Sequence, residues 1–363
     1  MDPDDVTQPM VFSTVISHPL SRQQLDESQS ELSSARSDPS AFADLEETCD
    51  RILELSPLDR QTLIILRSFR QMLPTHGQIA LMSDIKTCGR NLGRLRRFAY
   101  YLVHTILKPM RLAGSVRSGS SAETPALDAA REIARLAALV QSSDRAQQST
   151  LKTQCLKRDG FRCVYSHIAD DQSAEDGLVA TAVDEITTET NLSHILPLGL
   201  RKFDTANAVE REAVGKVWFG LYRYFPGLVG KIAPDTLNQH QNLVTLAASA
   251  HRAFDRHRLA FDPLFNQPTR YAIHRMAIHQ ILAQPPQGHE AVMTLVSSNH
   301  AFPLPEPEFF RVHYCIARIL QVSGIGRRIE EEIRASRSDP RNLSPDGSTD
   351  LEAILKRKLL INV

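Results

Sequence analysis

Four side chains in the second half of the sequence have the types and spacing to carry out metal-assisted hydrolysis. His194 lies in a short apolar run that ends at Pro197, and Asn242 stands at the head of a second apolar run. His251 follows nine residues after Asn242, and Asp255 lies four residues beyond His251. Because residues i and i+4 are neighbours on a helix, His251 and Asp255 could together bind a divalent cation.

These groups are the ones that hydrolysis of a phosphodiester requires. The reaction needs a base that deprotonates water and a cation that stabilises charge on the phosphate and the leaving oxygen. Histidine suits the first role because its ordinary pKa of about 6.5 leaves it largely neutral at pH 7. Each residue also has an ordinary interpretation: a half-buried strand histidine for His194, a strand-entry asparagine for Asn242, and a surface helix pair for His251 with Asp255.

Four short blocks of this region resemble the HNH endonucleases, and most closely the HNH nuclease domain of uncharacterised fungal proteins. The blocks occur in the order found in that family and cover roughly residues 151–263. They are Cys155–Val164, Leu192–Leu198, Asn242–Leu246 and His251–Arg256. Each block alone is a weak indication, and their order makes the resemblance specific.

The resemblance implies a ββα-metal finger, in which two strands and a helix surround one divalent cation. It implies a catalytic set of His194, Asn242 and His251, with His194 as the general base. Asn242 would brace the loop that holds this histidine or help to position the metal, while His251 and Asp255 would be the metal ligands. The implied reaction is hydrolysis of DNA that leaves 5′-phosphate ends. The implied cofactor is Mg²⁺ or Mn²⁺, with Zn²⁺ or Ni²⁺ as alternatives.

The sequence departs from the family's pattern in two places. Ser193 precedes the predicted base, where many members carry an acidic residue or a second histidine, and a serine hydroxyl binds hard cations poorly. The five cysteines form no CxxC pair, so no structural zinc is expected. Ser193 therefore keeps open a second function, that of a catalytically weak or inactive HNH-fold module that binds nucleic acid or protein.

Basic side chains near the predicted metal ligands could contact substrate. Arg252, Arg256 and Arg258 could hold phosphates through charge-assisted hydrogen bonds, or could equally form an ordinary solvated face. His257 lies off the helical face of His251, which favours a solvated or phosphate-contacting role. A helix predicted over residues 84–108 is the most basic segment and is another candidate for DNA contact.

Composition indicates no general attraction to nucleic acid or membrane. The 363 residues contain 42 Lys plus Arg and 42 Asp plus Glu, which gives a formal net charge of zero. Residues 151–263 are also close to neutral, with 13 basic and 14 acidic side chains. The acidic start of the chain and the absence of an apolar run of about 18 residues favour an intracellular protein, cytoplasmic or nuclear.

The pattern of apolar residues, prolines and polar stretches predicts five regions. They are a disordered tail at residues 1–40, a helical accessory unit at 41–113, a linker at 114–123, the HNH nuclease domain at 124–283 with a helical insertion at 200–238, and a helical C-terminal region at 284–363 with disorder at 336–349.

The predicted fold class is α+β, a ββα-metal finger embedded in a mostly α-helical chain. DNA is the expected substrate, no membrane partner is expected, and a protein partner through the N-terminal helical unit is a further expectation. The oligomeric state stays open. A third interpretation is an all-helical interaction protein in which the four blocks match by accident.

Overall fold

The structure, a computed structural model, describes residues 18–113, 148–182, 184–197, 200, 208–233, 236–276, 285, 288 and 291–338. Helices and strands are mixed, which confirms the predicted α+β class. The all-helical interpretation is wrong, because two antiparallel sheets are present. The predicted linker at 114–123 and the end of the chain from residue 339 lie outside the described residues.

Helices make up the first part of the described chain. They are α1 (Arg22–Ser37), α2 (Pro39–Leu55), α3 (Arg60–Met72), α4 (Thr75–Cys88), α5 (Leu92–Leu102) and α6 (Lys108–Ala113), with a π-helical turn at Val103–Leu107. None of the described helices has the length and apolar character needed to cross a membrane.

Helix α1 contradicts the disordered tail predicted for residues 1–40. A capping box starts it, since the Ser21 hydroxyl accepts from the Gln24 amide and the Gln24 side chain accepts from the Ser21 amide. Ser28 and Leu32 are buried where α1 packs on α4. The prediction failed because a serine occupies one of the buried positions, so the apolar pattern is too weak to reveal the helix.

The predicted helix over residues 84–108 is interrupted. Helix α4 ends at Gly89, whose φ of 57° lies in the left-handed region that favours glycine. Asn91 then caps α5 by accepting from the Arg94 amide. The basic segment is therefore divided between the end of α4 and a separate helix.

A buried ion pair joins the N-terminal helices to the predicted insertion, which forms α9 (Ala208–Tyr224). Asp84 on α4 is fully buried and accepts from the Arg223 guanidinium, with Nε at 2.8 Å. The Tyr224 hydroxyl at 2.8 Å and the Ser28 hydroxyl at 2.7 Å also donate to this carboxylate. A charged pair is tolerated here because the carboxylate is fully hydrogen-bonded.

The region between the helical unit and the first strand is mostly helix and turn. Helix α7 covers residues 148–158, and α8 covers Asp171–Glu175. Residues 162–165 form no strand, since Arg162 makes an isolated bridge with Ala169 and a turn follows.

The strands form two small sheets. They are β1 (Thr190–His194) and β2 (Leu243–Ala247) in one sheet, and β3 (Leu259–Leu264), β4 (Gln267–Arg275) and β5 (Val292–Thr294) in the other, all paired antiparallel. Strand β2 runs directly into α10 (Ala248–Asp255), which packs on both β1 and β2. The chain thus places two strands and a helix together, although α9 separates the strands in sequence.

The C-terminal region, which was expected to be helical, also contributes strand β5. Helix α11 (Pro307–Val322) packs its buried face, which includes Phe309 and Phe310, against β3, and α12 (Ile325–Ser338) follows. One large cluster of buried apolar side chains extends from Leu20 to Ile329. A second, small cluster joins Leu151 and Cys155 of α7 to Leu243 of β2. The large cluster includes residues from the N-terminal helices, the predicted nuclease domain and the C-terminal region.

Gly77→Ala should destabilise the protein, because a Cβ at this position of α4 would lie 2.0 Å from the carbonyl oxygen of Tyr224 on α9. We expect a loss of about 1–3 kcal/mol in the free energy of unfolding, measured by urea denaturation. Gly215→Ala on α9 is the matched control, since nothing lies within 4 Å of its Cβ, and it should be neutral or slightly stabilising. Equal effects of the two substitutions would contradict the close α4–α9 packing.

Candidate functional site

A buried arginine ties the end of α7 to strand β2. Arg158 is fully buried, and its Nε and Nη2 donate to the two carboxylate oxygens of Asp159 at 2.7 and 2.9 Å. Its other bonds go to the carbonyl oxygens of His240, Leu243 and Pro303. Asp159 in turn accepts from the Thr245 amide of β2 at 3.1 Å. This network fixes the position of β2 relative to α7.

Strand β1 ends at His194, which pairs with Leu243 of β2 and is half-buried. The imidazole Nε2 lies 3.1 Å from Oδ1 of Asn238. A neutral imidazole carries a proton on one ring nitrogen only, so a carbonyl acceptor at Nε2 favours the proton there and leaves Nδ1 basic.

Asn242 is fully buried and joins the residues that follow β1 to the segment that precedes β2. Its Oδ1 accepts from the Leu196 amide, and its Nδ2 donates to the carbonyl oxygens of Leu196 and Leu237, all at 2.8–2.9 Å. The backbone carbonyl of Asn242 also accepts from the Ile195 amide at 2.9 Å. Asn242 thereby connects the end of β1 to the segment that carries the neighbouring Asn238.

His251 and Asp255 lie on the same face of α10, with Nε2 and Oδ2 3.3 Å apart. Burial, helped by the positive charges of His194 and Arg252, lowers the pKa of His251 to about 4. Burial raises the pKa of the Asp255 carboxyl to about 7, although Arg256 opposes this shift. A cation at this pair would favour the charged carboxylate and find the imidazole already neutral.

His194 and the His251–Asp255 pair lie on elements that pack together. Strand β1, which ends at His194, pairs with β2, and α10 packs on both strands. Burial is the main cause of the lowered pKa of His251, and a charge on His194 contributes to it. Ser193, beside His194, is fully buried, and its hydroxyl has no hydrogen-bond partner among the described residues. Within the described ranges, no three His, Cys, Asp or Glu side chains are grouped so that they could hold a metal ion.

Two of the three arginines predicted to contact phosphates are exposed, and the third is paired with an acidic side chain. Arg252 and Arg256 are exposed at the surface of α10 and its end. Arg258 donates through Nη2 to both carboxylate oxygens of Glu330 on α12, at 3.2 and 3.0 Å. Arg258 is thus held by an internal carboxylate.

His257 is not solvated, in contrast to the interpretation from sequence. It is 4 % exposed and stacks on His313 of α11, with ring centroids 4.4 Å apart. Burial lowers its pKa well below the ordinary value. His257 does lie off the helical face of His251, but it packs against α11 instead of facing solvent.

Sequence reasoning missed Asn238 and Arg158. Asn238 lies in the polar stretch Asn-Gln-His-Gln-Asn that precedes β2, which is the one local indication of its position near Asn242. Arg158 belongs to a Lys-Arg-Asp triplet that looks like an exposed helix end. Its burial depends on carbonyl groups up to 145 residues away, which no local pattern reveals.

Comparison with known proteins gives one match. No curated protein and no solved structure matches the chain. A family model described as HNH endonuclease matches residues 163–262, a range that contains β1, β2 and α10. This range includes His194, Asn242, His251 and Asp255. This match confirms the resemblance to the HNH endonucleases over residues 163–262.

Proposed function

We propose that the protein is a metal-dependent endonuclease that hydrolyses DNA phosphodiester bonds at a ββα-metal finger formed by β1, β2 and α10. The observation that carries the proposal is the packing of α10, with the His251–Asp255 pair on one face, against β2 and against β1, which ends at His194. A base and a pair of metal-binding groups that flank one position are what hydrolysis of a phosphodiester requires. The match to the HNH endonuclease family supports the nuclease assignment.

His194 serves as the general base. With its Nε2 directed at Asn238 Oδ1, the basic Nδ1 is the nitrogen that takes the proton from the attacking water. Asn242 acts as a positioning residue, because its amide holds both the Leu196 backbone and the segment of Asn238. The two asparagines thus determine where the imidazole lies and which nitrogen is basic.

The residues present fit a hard divalent cation with few protein ligands. Mg²⁺ usually keeps several waters and binds through one or two carboxylates, and Mn²⁺ accepts both imidazole and carboxylate. His251 and Asp255 would hold the ion, with water and phosphate oxygens as its other ligands. When bound, the ion supplies positive charge that stabilises the phosphate and the leaving oxygen. Arg252 and Arg256, which are exposed beside these ligands, would contact neighbouring phosphates.

A catalytically weak HNH-fold module is the second candidate. The buried Ser193 hydroxyl in place of an acidic ligand, and the two-ligand set, favour weak metal binding. Such a module would bind DNA with a salt-dependent affinity and would not cleave it at any divalent metal tested.

His194→Ala should abolish nicking of supercoiled plasmid DNA in Mg²⁺ or Mn²⁺, because water loses its general base, and the rate should fall at least about 100-fold. His76→Ala is the matched control, since His76 is exposed on α4, and it should nick at the wild-type rate. Circular dichroism should show the same fold in all three proteins. Equal nicking by wild type and His194→Ala would exclude His194 as the base.

Asn238→Ala should lower kcat about ten-fold or more and leave KM almost unchanged, because it removes the acceptor that orients His194 without touching substrate. Asn238→Asp retains an acceptor and adds negative charge, which raises the pKa of His194. Its rate should recover, and the acidic limb of the pH–rate profile should move to higher pH. If Asn238 only stabilised the fold, both variants would be slow, and the acidic limb of the pH–rate profile would not move.

Asp255→Asn should stabilise the metal-free protein at pH 8 and have little effect near pH 4. The folded pKa of about 7 lies above the unfolded value, so the stability that the protonated carboxyl gives is complete near pH 4 and is lost as the pH rises through 7. The asparagine does not ionise, and a difference on the order of 2 kcal/mol in unfolding free energy is expected at pH 8 in EDTA.

Addition of a divalent metal ion tests whether the Asp255 carboxylate is a ligand. Mg²⁺ or Mn²⁺ at pH 8 should raise the Tm of the wild type and leave that of Asp255→Asn unchanged, because only the wild type retains the carboxylate ligand. An equal rise in Tm for both proteins would place the ion elsewhere.

A further inference from the structure

Two arginines near the end of α10 have no part in the proposed mechanism. Arg258 follows α10, and Arg111 lies on α6. Both donate to Glu330 on α12: Arg111 Nη2 lies 3.1 Å from Oε2, and Arg258 Nη2 lies 3.2 and 3.0 Å from the two carboxylate oxygens. Three elements that are distant in sequence therefore meet at one carboxylate.

Positive charge exceeds negative charge at this point. Arg256 lies two residues before Arg258, and its charge adds to those of Arg111 and Arg258, which lower the pKa of Glu330 against the effect of burial. Among the described residues, Arg256 forms no ion pair, and Glu330 is the acid paired with the other two. Two guanidinium groups thus share one carboxylate, with a third, unpaired arginine two residues away in the chain.

One donor of these arginines is buried without an acceptor among the described residues. The Arg111 side chain is 6 % exposed, and no described group accepts from its Nη1. Burial lowers the pKa of this guanidinium, which shows that its charge is poorly solvated. A buried charged donor without a partner is costly, and a second anion would satisfy it.

The geometry of the donors suits a phosphate group. Guanidinium groups bind phosphate oxygens in pairs through a planar fork, and arginine is the usual residue at such sites. Arg256 directly follows Asp255, so these arginines lie at the same end of α10 as the proposed metal ligands. A nucleic-acid strand with its scissile phosphate at His194 and the metal would therefore place a neighbouring phosphate near these arginines.

We propose that Arg111, Arg256 and Arg258 form a second binding site for a backbone phosphate of the nucleic-acid substrate, and that the Glu330 carboxylate occupies this site in the free protein. Arg256 is the exposed first contact. Glu330, whose side chain is 26 % exposed, pairs with the buried Arg111 and the half-buried Arg258 and is displaced when the strand binds. The proposal rests on the proposed function, because it uses the same substrate.

The test measures binding of a labelled DNA duplex by fluorescence anisotropy over a series of salt concentrations, in a His194→Ala background with Mg²⁺. Glu330→Gln removes the competing charge, so it should bind DNA about 3- to 10-fold more tightly, with a steeper salt dependence. Arg256→Ser should bind more weakly, and its salt slope should fall by about one, because one phosphate contact is lost.

Glu331→Gln is the matched control. It removes the same charge from the next residue of α12, which is exposed and pairs with Arg327. Its affinity should change far less than that of Glu330→Gln, and the Tm of each variant shows whether the fold is intact. Equal affinities of the two glutamine variants, or an unchanged salt slope in Arg256→Ser at wild-type Tm, would overturn the proposal.

The outcomes also separate this proposal from the function on which it rests. Plasmid nicking by the wild type without any effect of Glu330→Gln on binding contradicts the phosphate site and retains the nuclease. Tighter binding by Glu330→Gln without nicking by the wild type supports the phosphate site and favours the weak HNH-fold module. Absence of both nicking and DNA binding contradicts the two proposals together.

Discussion

The buried pair of Arg158 and Asp159 is the constraint on which the geometry of the site depends. An isolated guanidinium would be very unfavourable at full burial, and here its charge is compensated by a bidentate carboxylate and three carbonyl oxygens. The same carboxylate accepts from the β2 backbone. A shift of β2 by one residue would break this bond and the bond from Arg158 to the Leu243 carbonyl oxygen. The register of β2, and with it the position of Asn242 and the paired end of β1, is thereby fixed.

The elements that carry the candidate site could be predicted because their signals are local. The apolar run that ends at Pro197 predicted β1, and the apolar run headed by Asn242 predicted β2. The helix expected to carry His251 and Asp255 is α10. The packing of two strands and a helix was implied by the family resemblance, since spacing alone does not show which strands pair. Prediction thus succeeded where a segment's own residues determine its structure and where the ordered motifs indicated which elements pack together.

The remaining features depend on contacts between distant segments. Helix α1 is held by a serine hydroxyl that meets Asp84, 56 residues away. Strand β5 is only three residues long and exists because β4 provides its partner. Asn238 reaches His194 across 44 residues, and His257 is buried by a helix that follows much later in the chain. Hydrophobic periodicity carries no information about such pairings, so both the acceptor of the predicted base and the extent of the core were found only in the structure.

The position of α9 between the paired strands has a consequence for how the protein folds. The 48 residues from 195 to 242 separate β1 from β2, and closing a flexible loop of that length costs about 3 kcal/mol of chain entropy plus a constant. The Arg223–Asp84 contact anchors α9 on α4, which shortens the free chain that must be closed. We therefore expect the N-terminal helices to act as a folding template, on which α9 docks before β1 and β2 pair. The catalytic geometry would then be among the last features to form, and its rate of formation would be set by helices that carry none of its residues.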